Sequence, residues 1–296
     1  MKGTLRGSHF DRIFDIIIYF VLSLALLITL YPLYFVLIAS VSDYVAVNNG
    51  QVLLYPVRFT LECYQKLLKE RYIWTGYLNT FLYTVSGTAL NVTVTVLAAY
   101  ALSRKDLVGR KGIMGYFLFV MFFNGGLIPL YITVNRLGLH NTRWALILLG
   151  AVNIYNLIIT RTFFEQTISE ELLEAAKVDG CGNARFFFRI ALPLSSAIVA
   201  VITLYYAVEH WNNYFNALIF ISDYNIMPLQ IIARDILIAN QRVDFSSEIE
   251  DVVARQRYAE LLKYGIVIVS SLPMLAAYPF VQKYFVKGVM IGAIKG

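Results

Sequence analysis

The chain has 296 residues, a mean hydropathy of +0.63, 58% hydrophobic and 15% charged residues, and a formal charge of +6. Soluble domains carry charge on roughly a quarter of their residues, so this composition excludes an ordinary soluble fold. The charges gather into short clusters between apolar stretches close to the roughly 20 residues that a membrane-spanning helix needs. That pattern predicts an all-α membrane protein with several spans.

The first apolar run, about residues 13–41, follows a basic leader with Lys2, Arg6 and Arg12. A cleavable signal has an apolar core of roughly 7 to 15 residues. This run continues through Leu30, Tyr31 and Leu37, so it reads as a retained first helix. Hydropathy along the chain gives six candidate helices, over residues 14–40, 75–103, 113–135, 144–164, 194–220 and 262–283.

An even number of spans puts both termini on one side. The short turn at 104–111 holds Arg104, Lys105, Arg110 and Lys111, and short loops rich in Lys and Arg face the cytoplasm. Both termini and the loop around Glu174 are therefore expected to be cytoplasmic. The opposite side holds loops 41–72 and 221–261, where acids accompany the basic residues. With no fixed repeat and no low-complexity linker, residues 1–296 read as a single transmembrane domain.

The loop from 165 to 193 is the most polar interruption between two apolar segments. Thr167 and Glu170 have capping-box spacing for a short helix. Leu172, Leu173 and Ala176 give that helix an apolar side, and Glu170, Glu171, Glu174 and Lys177 cover the rest. Ala175 and Ala176 offer a low surface for close approach, and Gly180 permits a break that a side chain would resist. Phe186, Phe187 and Phe188 follow, flanked by Arg185 and Arg189, with Pro193 at the entry to the next span. Read alone, these aromatics are satisfied by packing on their own helix ends or by lying in the lipid interface.

The fifth candidate helix carries Glu209, Asn212, Asn213 and Asn216 at i, i+3, i+4 and i+7, one face of a continuous helix. Tyr205 and Tyr206 extend that stripe by a turn, and Trp211 lies beside it. A charge within a span usually faces a bundle interior or a watery cavity. Aromatic faces and amides suit a sugar's C–H face and hydroxyls. The alternative is that the amides glue helices together at about 1 kcal/mol or less each, a reading at least as good for Asn79, Asn91, Asn124, Asn153 and Asn156.

The order Glu-Ala-Ala, three residues, Gly, nine residues, Ile-x-Leu-Pro, realised at Glu174, Ala175, Ala176, Gly180, Ile190, Leu192 and Pro193, resembles the signature loop of permease subunits of binding-protein-dependent ABC importers. Within that family, the segment 211–215 resembles the aromatic-rich Trp-Asn element of carbohydrate permeases, and the run 213–218 with the ending 288–296 looks most like the subgroup for oligosaccharides or acidic polysaccharides, such as alginate and pectic fragments. Many relatives have an acid where Asn213 stands.

The resemblance implies a type I importer permease fold: six transmembrane helices with a cytoplasmic coupling-helix loop, 165–193, between the fourth and fifth. It assigns ATPase coupling to Glu174, Ala175, Ala176, Asp179, Gly180, Phe186, Phe187 and Pro193. It makes Tyr205, Tyr206, Glu209, Trp211, Asn212, Asn213 and Asn216 candidates for the substrate path. The implied partners are a homologous second permease, two ATP-binding subunits, an extracytoplasmic solute-binding protein, a carbohydrate and membrane lipids, with no nucleic acid.

The chain has no Gly-x-x-x-x-Gly-Lys-Ser/Thr loop, so ATP and Mg are expected at partner subunits and no cofactor or catalytic residue on this chain. Cys63 and Cys181 fall on opposite faces of the expected topology, and His9, His140 and His210 are scattered, so no metal site is expected. The longest polar insert, 221–261, is expected to be extracytoplasmic and to meet the binding protein or the partner permease. Pro228 stands at a helix start within it, ahead of the amphipathic stretch 229–237 and an acidic end at 248–251. A rival from another class is an ion-gradient-driven transporter or channel using Glu209; a third reading is a membrane sensor or scaffold that moves nothing.

Overall fold

A computed structural model describes residues 9–123, 125–238 and 257–276; these residues contain helices, turns and loops and no strand. The N-terminal leader before residue 9, Asn124, the acidic end at 248–251 and the family-like ending at 288–296 lie outside them. Helices in chain order are α1 His9–Ser40, α2 Tyr44–Asn48, α3 Glu62–Lys69, α4 Arg71–Ser103, α5 Arg110–Phe122, α6 Leu127–Arg136, α7 Arg143–Leu148 and α8 Ile154–Thr167. There follow α9 Glu170–Val178, α10 Asn183–Phe186, α11 Leu192–Leu194, α12 Ser196–Trp211, α13 Phe215–Phe220, α14 Leu229–Ile238 and α15 Arg257–Ala276. A π-helical turn, Phe187–Ala191, joins α10 to α11.

Among the described residues, three helices are individually long and apolar enough to cross a bilayer: α1 over Ile13–Ser40, α4 and α15. Two pairs satisfy the same requirement only when taken together, α5 with α6 and Asn183–Leu194 with α12, the latter bent by 79°. The expected fourth span is divided into α7 and α8. Gly150 between them has φ +79°, in the left-handed region open to glycine, and Asn153 caps the restart by accepting from Asn156 N.

The described residues pack as two compact units, the first formed by 9–70, 235–238 and 257–270, the second by 71–123, 125–234 and 271–276. In the first, the apolar face of α1 over its membrane-length stretch is uncovered, and its end packs Ile38 and Ala39 with Ala46, Val47 and Val52. Phe35 meets Tyr264 edge to face at 5.8 Å. Cys63 is buried against Gly265, where even a Cβ would collide with its Sγ, and burial pushes its thiol up to about 11. A buried thiol of that kind is a packing group and not a nucleophile.

In the second unit α4 is the spine, packed against α8 and α12. Its small residues permit close approach: a Cβ at Gly87 would collide with the His210 ring on α12, and one at Gly76 would stand 2.6 Å from Ile232 Cδ1 and 3.1 Å from Leu229 Cα on α14. The stretch after Pro228 does form a helix, and α4 side chains hold its entry. Thr80 Oγ1 accepts from Leu229 N at 2.8 Å, Asn79 donates to Asn225 O and Met227 O, and Tyr83 donates to Ile226 O at 2.6 Å. Asn79 is thus helix-to-loop glue, as the bland reading of the scattered asparagines has it.

Candidate functional site

The 165–193 loop is built on α9. Its N-cap is Ser169, whose hydroxyl accepts from Leu172 N at 3.3 Å; the Thr167–Glu170 capping box does not form, because Thr167 is still the last residue of α8. Ser169 wins because it stands immediately before the first helical residue, where a side-chain oxygen reaches the free amides. Glu170 and Glu171 in the first turn and Lys177 in the last complement the helix dipole.

The helix stops at Gly180, φ +70°, with Cys181 N donating to Ala176 O at 2.8 Å and Gly180 N to Lys177 O at 3.0 Å. These bonds satisfy the last carbonyls in the manner that left-handed glycine permits.

The aromatics divide. Phe186 and Phe187 are buried with Ala176, Leu102, Phe164 and Ile202, and Tyr100 lies 5.6 Å from Phe164 and 4.8 Å from Phe187, ring to ring. Phe188 is 62% exposed. Phe186, Phe187 and Ala176 therefore do not present a surface to another protein; they seat the loop on its own helices. The outward surface is Glu171, Glu174, Ala175, Val178 and Asp179, with Val178 87% exposed. Val178 stands outside the coupling set expected from the sequence, although an apolar residue among charges on a short polar helix is the available signal.

Pro193 is exposed, two residues before the buried Ser195 at the 79° bend into α12. Lacking an N–H, it removes one backbone bond where the π turn and the bend meet.

Charges bind this loop to its surroundings. Lys105 Nζ lies 2.7 Å from Glu170 Oε2, and Arg104 grips Asp106 through Nε at 2.9 Å and Nη2 at 2.6 Å. Arg104 holds the Asp106 carboxyl below the usual carboxylate range, and Asp106 with the Tyr100 hydroxyl raises the guanidinium. A cavity of about 390 Å³ opens among Arg104, Lys105, Phe164, Glu170, Lys177 and Phe186.

The proposed path residues are arranged differently from the sequence expectation. α12 ends at Trp211, Asn212 caps it, and Asn216 belongs to α13. Glu209, Asn212, Asn213 and Asn216 therefore do not form one face of one helix; Asn212 Nδ2 folds back to Val208 O at 3.0 Å, and Tyr214 N donates to Asn212 O. An Asn side chain that bonds local backbone competes with the helical ladder, so the helix ends where hydropathy alone would continue it.

Tyr206 is fully buried, its hydroxyl 2.7 Å from Thr95 Oγ1 and accepting from Asn153 N at 3.1 Å. Trp211 is buried too, its ring 6.4 Å from that of Tyr77. Within this chain these two pack helices together. Tyr205, Glu209 and Asn212 are exposed, and Asn213 and Asn216 half-buried. Glu209 has no ion-pair partner among the described residues, and its Oε1 would lie 3.8 Å from a Cβ at Gly150, where the α7–α8 break passes. His210, dismissed as scattered, is buried: Asn91 Nδ2 lies 3.1 Å from its Nε2, and Gly87 leaves the room its ring fills. Among the described residues no cluster of His, Cys, Asp and Glu could hold a metal.

The whole sequence carries the same signal as the loop. A family model described as binding-protein-dependent transport system inner membrane component matches residues 1–291. The chain belongs to this family. The permease is 38% identical over 287 residues, 97% of this chain and 99% of the relative, to the polygalacturonan/rhamnogalacturonan transport system permease protein YtcP of Bacillus subtilis. It is 36% identical over 294 residues to protein LplC of Bacillus subtilis, covering 99% of this chain and 98% of that one.

A chain from the crystal structure of a bacterial ABC transporter involved in the import of the acidic polysaccharide alginate superposes with a TM-score of 0.86 at 33% identity, covering 95% of this chain and 100% of that one. The permease is accordingly a membrane component of an ABC importer with the all-α permease fold, and not an enzyme. These relatives do not favour an ion-driven transporter built on Glu209.

Proposed function

We propose that the permease forms half of the transmembrane path for an oligosaccharide or polysaccharide, acidic ones such as pectic or alginate fragments included. It pairs with a homologous, non-identical permease, two ATP-binding subunits that hold ATP and Mg, and an extracytoplasmic solute-binding protein. Both termini and the 165–193 loop face the cytoplasm. The outward surface of α9, Glu171, Glu174, Ala175, Val178 and Asp179, docks on an ATP-binding subunit, while Phe186 and Phe187 carry its displacement into α4 and α8. ATP binding draws the loops together and opens the path outward; hydrolysis resets it inward.

The observation that carries the assignment of cargo is the full-length likeness to a permease named for polygalacturonan and rhamnogalacturonan. Along the path, Tyr205, Glu209, Asn212, Asn213 and Asn216 meet the sugar; Glu209 accepts hydroxyl hydrogens, because an ionised carboxylate is acceptor-only. Uptake of oligogalacturonates into proteoliposomes holding the complete complex, dependent on ATP and binding protein, is the test. Uptake by this chain alone without an ATPase overturns the proposal.

A further inference from the structure

The turn between α4 and α5 and the end of α8 carry a second set of charges. Glu165 Oε1 receives Arg161 Nη2 at 2.6 Å and also pairs with Arg110. Arg161 Nε donates in turn to Leu102 O at 3.1 Å, at the C-terminal end of α4. One carboxylate thus joins the ends of α4, α5 and α8 five residues before α9 starts.

The side chains of Arg161, Arg110 and Glu165 are 17%, 24% and 28% exposed, against 71% and 55% for Lys105 and Glu170. The first group is partly desolvated and shared, so removing its central anion leaves two cations facing each other with no counter-charge. An open surface pair contributes far less.

A lever needs two fixed points. Phe186 and Phe187 supply one, packed on Tyr100 and Phe164. Contact there resists separation but is non-directional, so the loop could rock about it. The ionic joint of Glu165 with Arg110 and Arg161 shares no residue with the aromatic contact, so it is a second attachment. Its charge-assisted bonds are directional. We infer that Glu165, with Arg110 and Arg161, is a positioning residue for energy coupling: it locks the 104–110 turn to the 165–193 loop, so that α4 and α5 move with α9. This rests on the proposed docking of α9 on an ATP-binding subunit.

The test uses the complete complex with spin labels at Lys111→Cys and Val178→Cys, both exposed sites, in a Cys63→Ser, Cys181→Ser background. The inter-label distance should be the same without nucleotide and with ATP-vanadate. In Glu165→Gln it should change between those states, and oligogalacturonate uptake per ATP hydrolysed should fall about fivefold or more, while the ATP-binding subunits still co-purify. A native distance that changes with nucleotide overturns the inference, as does a Glu165→Gln complex that behaves like the native one. If Glu165→Gln does not assemble, Arg110→Gln is read in the same way; loss of assembly in both also overturns it, since the joint would then be needed for folding alone. Failure of the docking itself is seen separately, as absence of a cross-link from Ala175→Cys to an ATP-binding subunit.

Discussion

The 165–193 loop and the 205–216 segment are both polar interruptions of apolar sequence, and both bury part of their aromatics, yet they hold their carboxylates differently. In the loop, Phe186 and Phe187 turn inward, Phe188 and Val178 stay outside, and Glu165 and Glu170 are ion-paired. Around 205–216, Tyr206, His210 and Trp211 turn inward, and Glu209 remains exposed beside a broken helix. Polarity in a sequence therefore does not say which face is buried; the neighbours of each residue do. The loop is tied to its own helices by aromatic packing and ion pairs, while Glu209 has no ion-pair partner among the described residues.

The largest effect should come from cutting the loop's seat. Phe187→Ala empties a buried aromatic site and should lower unfolding free energy by about 3–5 kcal/mol, read as a fall in melting temperature of the purified permease and loss of bound ATP-binding subunits. Next, Tyr206→Phe removes the hydroxyl that serves Thr95 and Asn153 N. It should cost about 1–3 kcal/mol, whereas Glu209→Gln should leave the melting temperature unchanged and lower uptake. Equal stability losses from the two would erase the contrast between packing and path residues. Ser169→Ala should cost about 1 kcal/mol by uncapping α9, visible in binding-protein-stimulated ATP hydrolysis before it is visible in stability.

The smallest effect is electrostatic. Asp106 titrates below its unfolded value because of Arg104. Its contribution is therefore present above the unfolded carboxylate pKa and lost as pH falls through the lowered one. The Asp106 side chain is largely exposed, so Asp106→Asn should remove no more than about 1 kcal/mol, and only the acid limb of a stability–pH profile should flatten.

Much of this was legible in the chain itself. The Glu-Ala-Ala spacing identifies the family, and Pro228 with the apolar pattern after it foretells α14. The break at Gly150 and Asn153 was also written there, a left-handed glycine followed by a helix cap, but the hydropathy of 144–164 masks it because apolar content does not register backbone direction. Thr167 has capping spacing as good as that of Ser169; which one caps depends on where α8 ends, and its packing on α4 decides that. Tyr205 and Tyr206 are adjacent and alike in composition, and only the hydroxyl and amide of Thr95 and Asn153 draw Tyr206 inside.

The central claim is that motion enters this permease through the outward face of α9. A photo-reactive residue placed at Val178 in the complete complex tests it directly. The expected result is a cross-link to an ATP-binding subunit whose yield changes between nucleotide-free and ATP-vanadate states, with none from the buried position Phe187. A Val178 probe that labels only lipid or this chain itself, in every nucleotide state, would contradict it.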